Sequence, residues 1–289
     1  TIHFFEDDST ISWLLGEPFD LPDNYVTAND NVDGDLSARL EISGLDLLDE
    51  TKESDQTIYF AVTDSAGNRV ENKGLTVSFQ NPAFTMNGVA IDGYLSGSSV
   101  AFVPTSPNLQ HLSITGITNT TGGFDLFFLE EDFSEIDANG NKVIDPEEGT
   151  IVVTGGIDTN TNQPFISALT ADANSSIVSP LTTVLNEMIK NGSTKEDAQA
   201  DLAKAFGYSS AIDITSYDPI AGAKNGDSNT VAILEANALV VNTLKQITAV
   251  SEHMNSEADS IKVSAQVAKS MANLVDEGIS VTQELQKTE

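Results

Sequence analysis

The 289-residue chain contains no cysteine. That absence excludes disulfide staples, thiol catalysis and thiolate metal sites. Basic residues are scarce as well: 13 Lys and Arg stand against 44 Asp and Glu, for a formal net charge of −31. A surface this negative repels nucleic acid and anionic lipid, so neither is an expected partner. No apolar run approaches the roughly 20 residues needed to span a bilayer, so no membrane insertion is expected. No signal peptide or lipidation motif occurs. Gly-rich phosphate loops, a nucleophile elbow and zinc-ligand spacings are also missing. The three histidines, His3, His111 and His253, are scattered and read as surface or partly buried polar residues.

Carboxylates sit side by side at Glu130-Glu131-Asp132 and Glu147-Glu148, which keeps a glycosidase reading open. Adjacent acids are cheap coincidences in an acid-rich chain, however. One Trp and five Tyr offer little surface on which to stack a sugar. The expectation is a non-enzymatic protein.

What is present is patterned. Hydrophobic residues make up 39% of the chain, in clear periodicities, which argues against disorder despite the charge. Self-repulsion on this scale destabilises a compact chain unless cations offset it. The excess charge therefore reads as cation demand, salt-water adaptation, or both. The length suits two or three domains. The chain opens at Thr1 and closes on the helix-like run Gln283-Glu-Leu-Gln-Lys-Thr-Glu289 without a stop signal. It is expected to be part of a longer protein, with neighbouring domains as partners.

Calcium is the cation the sequence points to. Asp137-Ala-Asn-Gly-Asn-Lys-Val-Ile-Asp-Pro-Glu-Glu148 reads as a twelve-residue calcium loop. Side-chain oxygens at positions 1, 3, 5, 9 and 12 come from Asp137, Asn139, Asn141, Asp145 and Glu148, with the Val143 carbonyl at position 7. Calcium takes six to eight hard oxygens, and the closing Glu can supply two. The sixth position is usually Gly because the backbone turns sharply there; here it is Lys142, with Gly140 two residues earlier. An acidic surface turn without an ion is the alternative.

Residues 1–82 offer short strands separated by polar turns. Asp55-Gln-Thr-Ile-Tyr-Phe-Ala-Val-Thr63 and Gly74-Leu-Thr-Val-Ser-Phe79 alternate, with a turn at Asp64-Ser-Ala-Gly-Asn68. An immunoglobulin-like β-sandwich follows. Ala28-Asn-Asp-Asn-Val-Asp-Gly-Asp-Leu-Ser37 and Phe60-Ala-Val-Thr-Asp-Ser-Ala-Gly-Asn68 resemble the Ig-like repeats of large bacterial surface proteins. The resemblance covers about residues 17–80 and implies a spacer or display module rather than an active site. Asp30, Asp33 and Asp35 bunch in one loop and are secondary calcium candidates, since like charges so close repel without a cation among them. A plain turn ranks ahead of that reading.

Residues 83–178 carry 12 acids and one base, Lys142, so ion pairs within the segment cannot satisfy them. Metal or solvent is expected to do so. Strand candidates at 86–94, 99–103, 109–117, 123–129 and 150–154 suggest a second β-sandwich-like domain, with the calcium loop between two strands. Ala90-Ile-Asp-Gly-Tyr-Leu-Ser-Gly97, the 137–148 loop, Gly155-Gly-Ile-Asp-Thr159 and Ser179-Pro-Leu-Thr-Thr183 together resemble a module of giant calcium-dependent bacterial surface proteins and adhesins of the RTX type. By that resemblance Asp158 and Asn160 become minor calcium ligand candidates, with a plain turn ranked ahead.

From residue 179 the period changes from two to 3.6. Ser179 caps a helix with Pro180 at its first position, and Leu181, Val184, Leu185 and Met188 form its stripe. Ser193-Thr-Lys-Glu196 opens a second helix that ends before Gly207, and Tyr217-Asp-Pro219 breaks the pattern. Two longer helices are expected at 229–254 and 256–275, joined near Asn255. Ile233, Leu234, Val240, Val241, Leu244 and Ile247 would face Ile261, Val263, Val267, Met271 and Leu274.

The expected protein is thus a multidomain β and α chain: 1–82 a sandwich, 83–178 a β-rich calcium-loop domain, 179–289 a helical domain. Its expected role is a calcium-stabilised spacer or adhesion segment of an extracellular bacterial surface protein. Two rivals stay open: a calcium-dependent peptide- or glycan-binding module for a cell-surface ligand, and a self-associating subunit of a surface layer or filament.

Overall fold

The computed structural model describes residues 1–4, 9–254 and 259–279. Phe5, the turn expected near Asn255 and the run Gln283–Glu289 lie outside the described residues. The fold is mixed β and α and divides into two compact units. One comprises Thr1–Phe84 with Phe127–Phe133; the other takes Thr85–Leu126 and the chain from Ser134 onward.

The first unit is β-sandwich-like. Strands β1 (Ile2–Phe4), β3 (Val26–Asp30) and β4 (Gly34–Asp35) form one sheet. A second has the order β2-β7-β6-β5, from β2 (Thr10–Leu14), β5 (Glu41–Ser43), β6 (Asp55–Thr63) and β7 (Arg69–Gln80). The two-residue period decides what is buried: Ile58, Phe60 and Val62 on β6 and Leu75, Val77 and Phe79 on β7 point inward. They meet Ile2, Val26 and Ala28 from the other sheet. At the β6–β7 turn the Asp64 carboxylate accepts the Asn68 N–H at 2.7 Å.

The next strands along the chain are β8 (Phe84–Ala90), β9 (Leu95–Ser96), β10 (Ser99–Pro104), β11 (Ile114–Ile117) and β12 (Gly123–Phe128), which the second unit takes from Thr85 to Leu126. Helix α1 (Glu130–Ile136) follows, then β13 (Gly149–Thr154), β14 (Ile157–Asp158), β15 (Gln163–Pro164), β16 (Ala168–Asp172) and β17 (Ile177–Val178). Five helices complete it: α2 (Pro180–Lys190), α3 (Lys195–Phe206), α4 (Pro219–Lys224), α5 (Thr230–Met254) and α6 (Ser260–Asp276). The sheets have orders β11-β10-β13-β16, β12-β8-β17 and β15-β14-β9.

The expected division at 178/179 does not separate compact units, and β16 shows why. All five of its residues are buried, because α2 and α6 pack against it. Helix α2 is buried far beyond the expected stripe: Thr182, Thr183, Asn186 and Glu187 are covered along with Leu181, Val184, Leu185 and Met188. Thr182, Thr183 and Asn186 are hydrogen-bonded to the neighbouring strand, while Glu187 pairs with Lys190 of its own helix. The Thr183 hydroxyl accepts the Thr170 N–H at 2.9 Å, the Thr182 hydroxyl donates to the Thr170 carbonyl at 3.1 Å, and the Asn186 amide donates to the Thr170 hydroxyl at 3.1 Å. Further on, Asn237 of α5 accepts the Leu181 N–H and Ser264 of α6 accepts the Ala168 N–H. Ser179-Pro-Leu-Thr-Thr183 is therefore a fastening between sheet and helices.

Other expectations change in detail. Tyr217-Asp-Pro219 starts a helix instead of breaking the pattern: Asp218 caps α4 by accepting the Ile220 and Ala221 N–H groups, and Pro219 takes the first position. Helix α6 starts at Ser260 behind the N-cap Asp259, later than expected. Ile233, Val240, Val241 and Leu244 are buried with Val267 and Met271, but Ile247, Ile261 and Leu274 are exposed. No helix among the described residues is long and apolar enough to cross a membrane.

Candidate functional site

The 137–148 loop lies between a helix and a strand, not between the two strands expected. Glu130-Glu131-Asp132 fills the first turn of α1, where carboxylates favour the positive end of the helix dipole. The acids kept open as a catalytic pair thus have a local structural reason. Ile136 and Ile144 are buried and fasten the loop on both sides. Immediately after Glu148, a Cβ at Gly149 would fall in the Phe102 ring, so only glycine fits, and the Thr105 N–H bonds the Glu148 carbonyl at 2.9 Å.

Within the loop the side chains turn inward. Asp137, itself buried, accepts the Asn141 N–H at 3.1 Å and the Lys142 N–H at 2.7 Å. Glu148 reaches across with both oxygens, accepting the Ala138 N–H at 2.9 Å and the Asp145 N–H at 2.8 Å. The amides of Asn139 and Asn141 donate to one Asp145 oxygen, at 2.7 and 2.8 Å. The Asn139 carbonyl oxygen accepts the Asn141 N–H, and that of Asn141 accepts the Val143 N–H. Lys142 adopts φ +66°, the left-handed conformation for which glycine is the usual sixth residue, and Gly140 adopts φ +70°. The sharp turn is made at the sixth position, by a residue with a side chain.

Positions 3, 5 and 9 therefore surround one point, and positions 1 and 12 clamp the backbone around it. The set is three carboxylates, two amides and the Val143 carbonyl, all hard oxygens without nitrogen or sulfur ligands, which suits calcium. An amide's oxygen and nitrogen exchange places on a half-turn, so Asn139 and Asn141 can present either. On chemistry the residues fit the ion. Carboxylates alone do not: among the described residues no group of three or more His, Cys, Asp or Glu is spaced to hold a metal.

The secondary candidates are occupied in turns. Asp30 accepts the Val32 and Asp33 N–H groups at 2.9 and 3.0 Å, Asp35 accepts both the N–H and hydroxyl of Ser37, and Asp33 accepts the Ser65 N–H at 2.6 Å. The backbone donor of Asp33 holds the Asp30 carboxyl below its ordinary range, and the Ser37 hydroxyl does the same for Asp35. Asp158 is 2% exposed; it accepts the Asn160 N–H at 2.9 Å and the Thr161 hydroxyl at 2.7 Å, and its carboxylate lies against Gly93, while Asn160 is exposed.

The charge balance of 83–178 is met partly by a route the sequence did not reveal. Asp92 pairs with Lys245 of α5 at 2.6 Å, and Asp172 pairs with Lys195 of α3 at 3.4 Å. Both acid side chains are buried, so lysines from the helices, not only metal or solvent, offset their charge, although Oδ2 of Asp172 has no hydrogen-bond partner. Close by in sequence, the Tyr94 hydroxyl donates to Asp218 at 2.9 Å and Lys224 lies over the Tyr94 ring. The Asp92–Lys245 and Tyr94–Asp218 pairings join residues 153 and 124 positions apart, and no local spacing signals them. An open groove of about 430 Å³ is lined in part by Asn87, Asn119, Asp125, Ser216 and Asp218. Asp218 is committed to its helix cap and to Tyr94, so its carboxylate already has structural work.

No protein-family model matches the chain, and no curated protein matches it. Two solved structures from Clostridium perfringens ZmpB share weak similarity: CBM51-2 in complex with GlcNAc and INT domains, and CBM51-2 and INT domains. Both are 13% identical; the first match covers 87% of this chain and 67% of the other at a TM-score of 0.21, and the second covers 80% and 60% at 0.20. At these scores neither carries a functional argument.

Proposed function

We propose that this chain is a calcium-stabilised, non-enzymatic module of an extracellular bacterial surface protein, serving as a spacer or adhesion segment. The first unit acts in this reading as an Ig-like spacer, and the second carries the ion. The observation that supports it is the 137–148 loop, where oxygens from Asp137, Asn139, Asn141, Val143, Asp145 and Glu148 share one small loop with a left-handed sixth residue. Calcium would be held by these oxygens and would offset the three carboxylates, fixing a loop that joins α1 to β13. A module with the ion bound resists unfolding more than one without it, as required of a segment that holds partners apart.

The test is thermal unfolding in calcium, in magnesium and in chelator at matched ionic strength. Calcium raises the Tm well beyond the other two conditions. Equal Tm values in all three would remove the proposal. A glycan or peptide array with and without calcium, and light scattering on calcium addition, separate the spacer from the binding and self-assembling alternatives.

A further inference from the structure

Lys245 and Asp92 lie 153 residues apart in sequence and meet at 2.6 Å between Nζ and Oδ2. The Asp92 side chain is 5% exposed and that of Lys245 29%. The Lys245 amine sits 5.4 Å from the centroid of the Phe165 ring, and Phe165 is buried. A second buried carboxylate, Asp158, packs against Gly93, the residue following Asp92. An amine and a carboxyl are thus held in contact, beside an aromatic ring, with another acid adjacent.

We propose that Lys245 and Asp92 are the two halves of an intramolecular amide cross-link, formed by condensation of the Lys245 amine with the Asp92 carboxyl. Condensation runs through the neutral pair, reached when a proton of the Lys245 ammonium passes to the Asp92 carboxylate across their 2.6 Å contact. Burial is the largest influence pushing the Asp92 carboxyl above its ordinary range, with the Asp158 charge adding to it and the Lys245 hydrogen bond and charge opposing. In the neutral pair the Nζ lone pair adds to the Asp92 side-chain carbonyl carbon. The C–N bond forms, the C–OH bond breaks, and the proton lost from Nζ leaves with that hydroxyl as water. No oxidant, reductant or cofactor is consumed. Enforced contact replaces the activation such a condensation otherwise needs.

The product would tie α5 covalently to the turn between β8 and β9. It supplies a cross-link to a chain without cysteine and is independent of calcium. The Asp172–Lys195 pair is a natural contrast: at 3.4 and 3.5 Å it is longer and remains an ion pair.

Intact mass spectrometry of the purified full chain tests the proposal. The expected mass is lower than that of the sequence by one water. Tryptic digestion of the denatured chain then yields a branched peptide joining the segments around Asp92 and Lys245, uncleaved after Lys245 but cleaved after Lys195. Lys245→Arg keeps the charge yet restores the full mass, with circular dichroism reporting that it folds. A folded wild-type chain at full mass, cleaved after Lys245, overturns the proposal and leaves a buried ion pair. Loss of water that persists in Lys245→Arg overturns it equally.

Discussion

Glu148→Ala is the substitution whose consequences can be worked out most fully. Glu148 accepts N–H groups at both ends of its loop, from Ala138 and Asp145, and is the closing ligand of the calcium reading. Because the side chain is only half-buried, each charge-assisted bond is taken at about 1 kcal/mol, below the 1.5–3 of protected ones, so the calcium-free variant loses about 2 kcal/mol. In wild type, calcium at about 100 times its dissociation constant adds about 2.7 kcal/mol. For domains of roughly 150–250 residues each kcal/mol moves Tm by about 2–4 °C, giving a calcium shift of about 5–10 °C in wild type and under about 1 °C in the variant. Calcium-free Glu148→Ala should itself melt about 4–8 °C lower than wild type on the same scale. Helices α2–α6 all belong to the second unit, so helical circular dichroism follows the relevant transition. The exposed neighbour Glu147→Ala serves as control and should keep the wild-type response. A full calcium shift in Glu148→Ala, or its loss in Glu147→Ala, refutes the reasoning.

Further outcomes follow from single contacts. Gly149→Ala drives a methyl into Phe102 and should cost about 1–3 kcal/mol in urea unfolding, with Phe102→Leu recovering part of that loss in the double variant. Lys142→Gly relieves a left-handed backbone and should raise calcium-free stability by up to about 1 kcal/mol without abolishing the calcium response. Thr183→Val strands the buried Thr170 N–H and should destabilise the second unit by about 1–3 kcal/mol, read by helical circular dichroism. In the first unit, the carboxyls of Asp30, Asp35 and Asp64 are held low by hydrogen bonds, and Asp49 is lowered to about 2, chiefly by Lys52 and then Thr51. Folded values below unfolded ones mean that their stabilisation is present above the unfolded range and disappears as pH falls through the folded values. The sole tryptophan, Trp13, packs edge-on to Phe19 in that unit, so its emission should report a lower urea midpoint near pH 2 than at pH 5.

What could be read from the sequence depended on how local the cause was. Alternation in 55–63 and 74–79 placed β6 and β7, and Ser179-Pro180 placed the start of α2, because period and cap are nearest-neighbour properties. Helices α1 and α4 were missed although Glu130-Glu131-Asp132 and Asp218-Pro219 are start signals; both helices are too short to show a stripe. Burial of α2 on all sides follows from β16, α5 and α6 converging on it, which no window of its own residues discloses. At the candidate site the oxygen spacing was legible. The unusual sixth residue was visible too, but only the backbone shows that Lys142 itself takes the left-handed turn. The pairing of Asp92 with Lys245 has no sequence signature: it depends on tertiary packing alone.

Titration calorimetry with the calcium-free chain addresses the metal loop most directly, run in parallel on wild type and Asp145→Ala. Asp145 is the carboxylate on which both loop amides converge. Wild type should show a saturable calcium site that magnesium does not match and that the variant lacks. No heat of binding in wild type at millimolar calcium, or an isotherm unchanged in Asp145→Ala, would contradict the assignment of the ion to this loop.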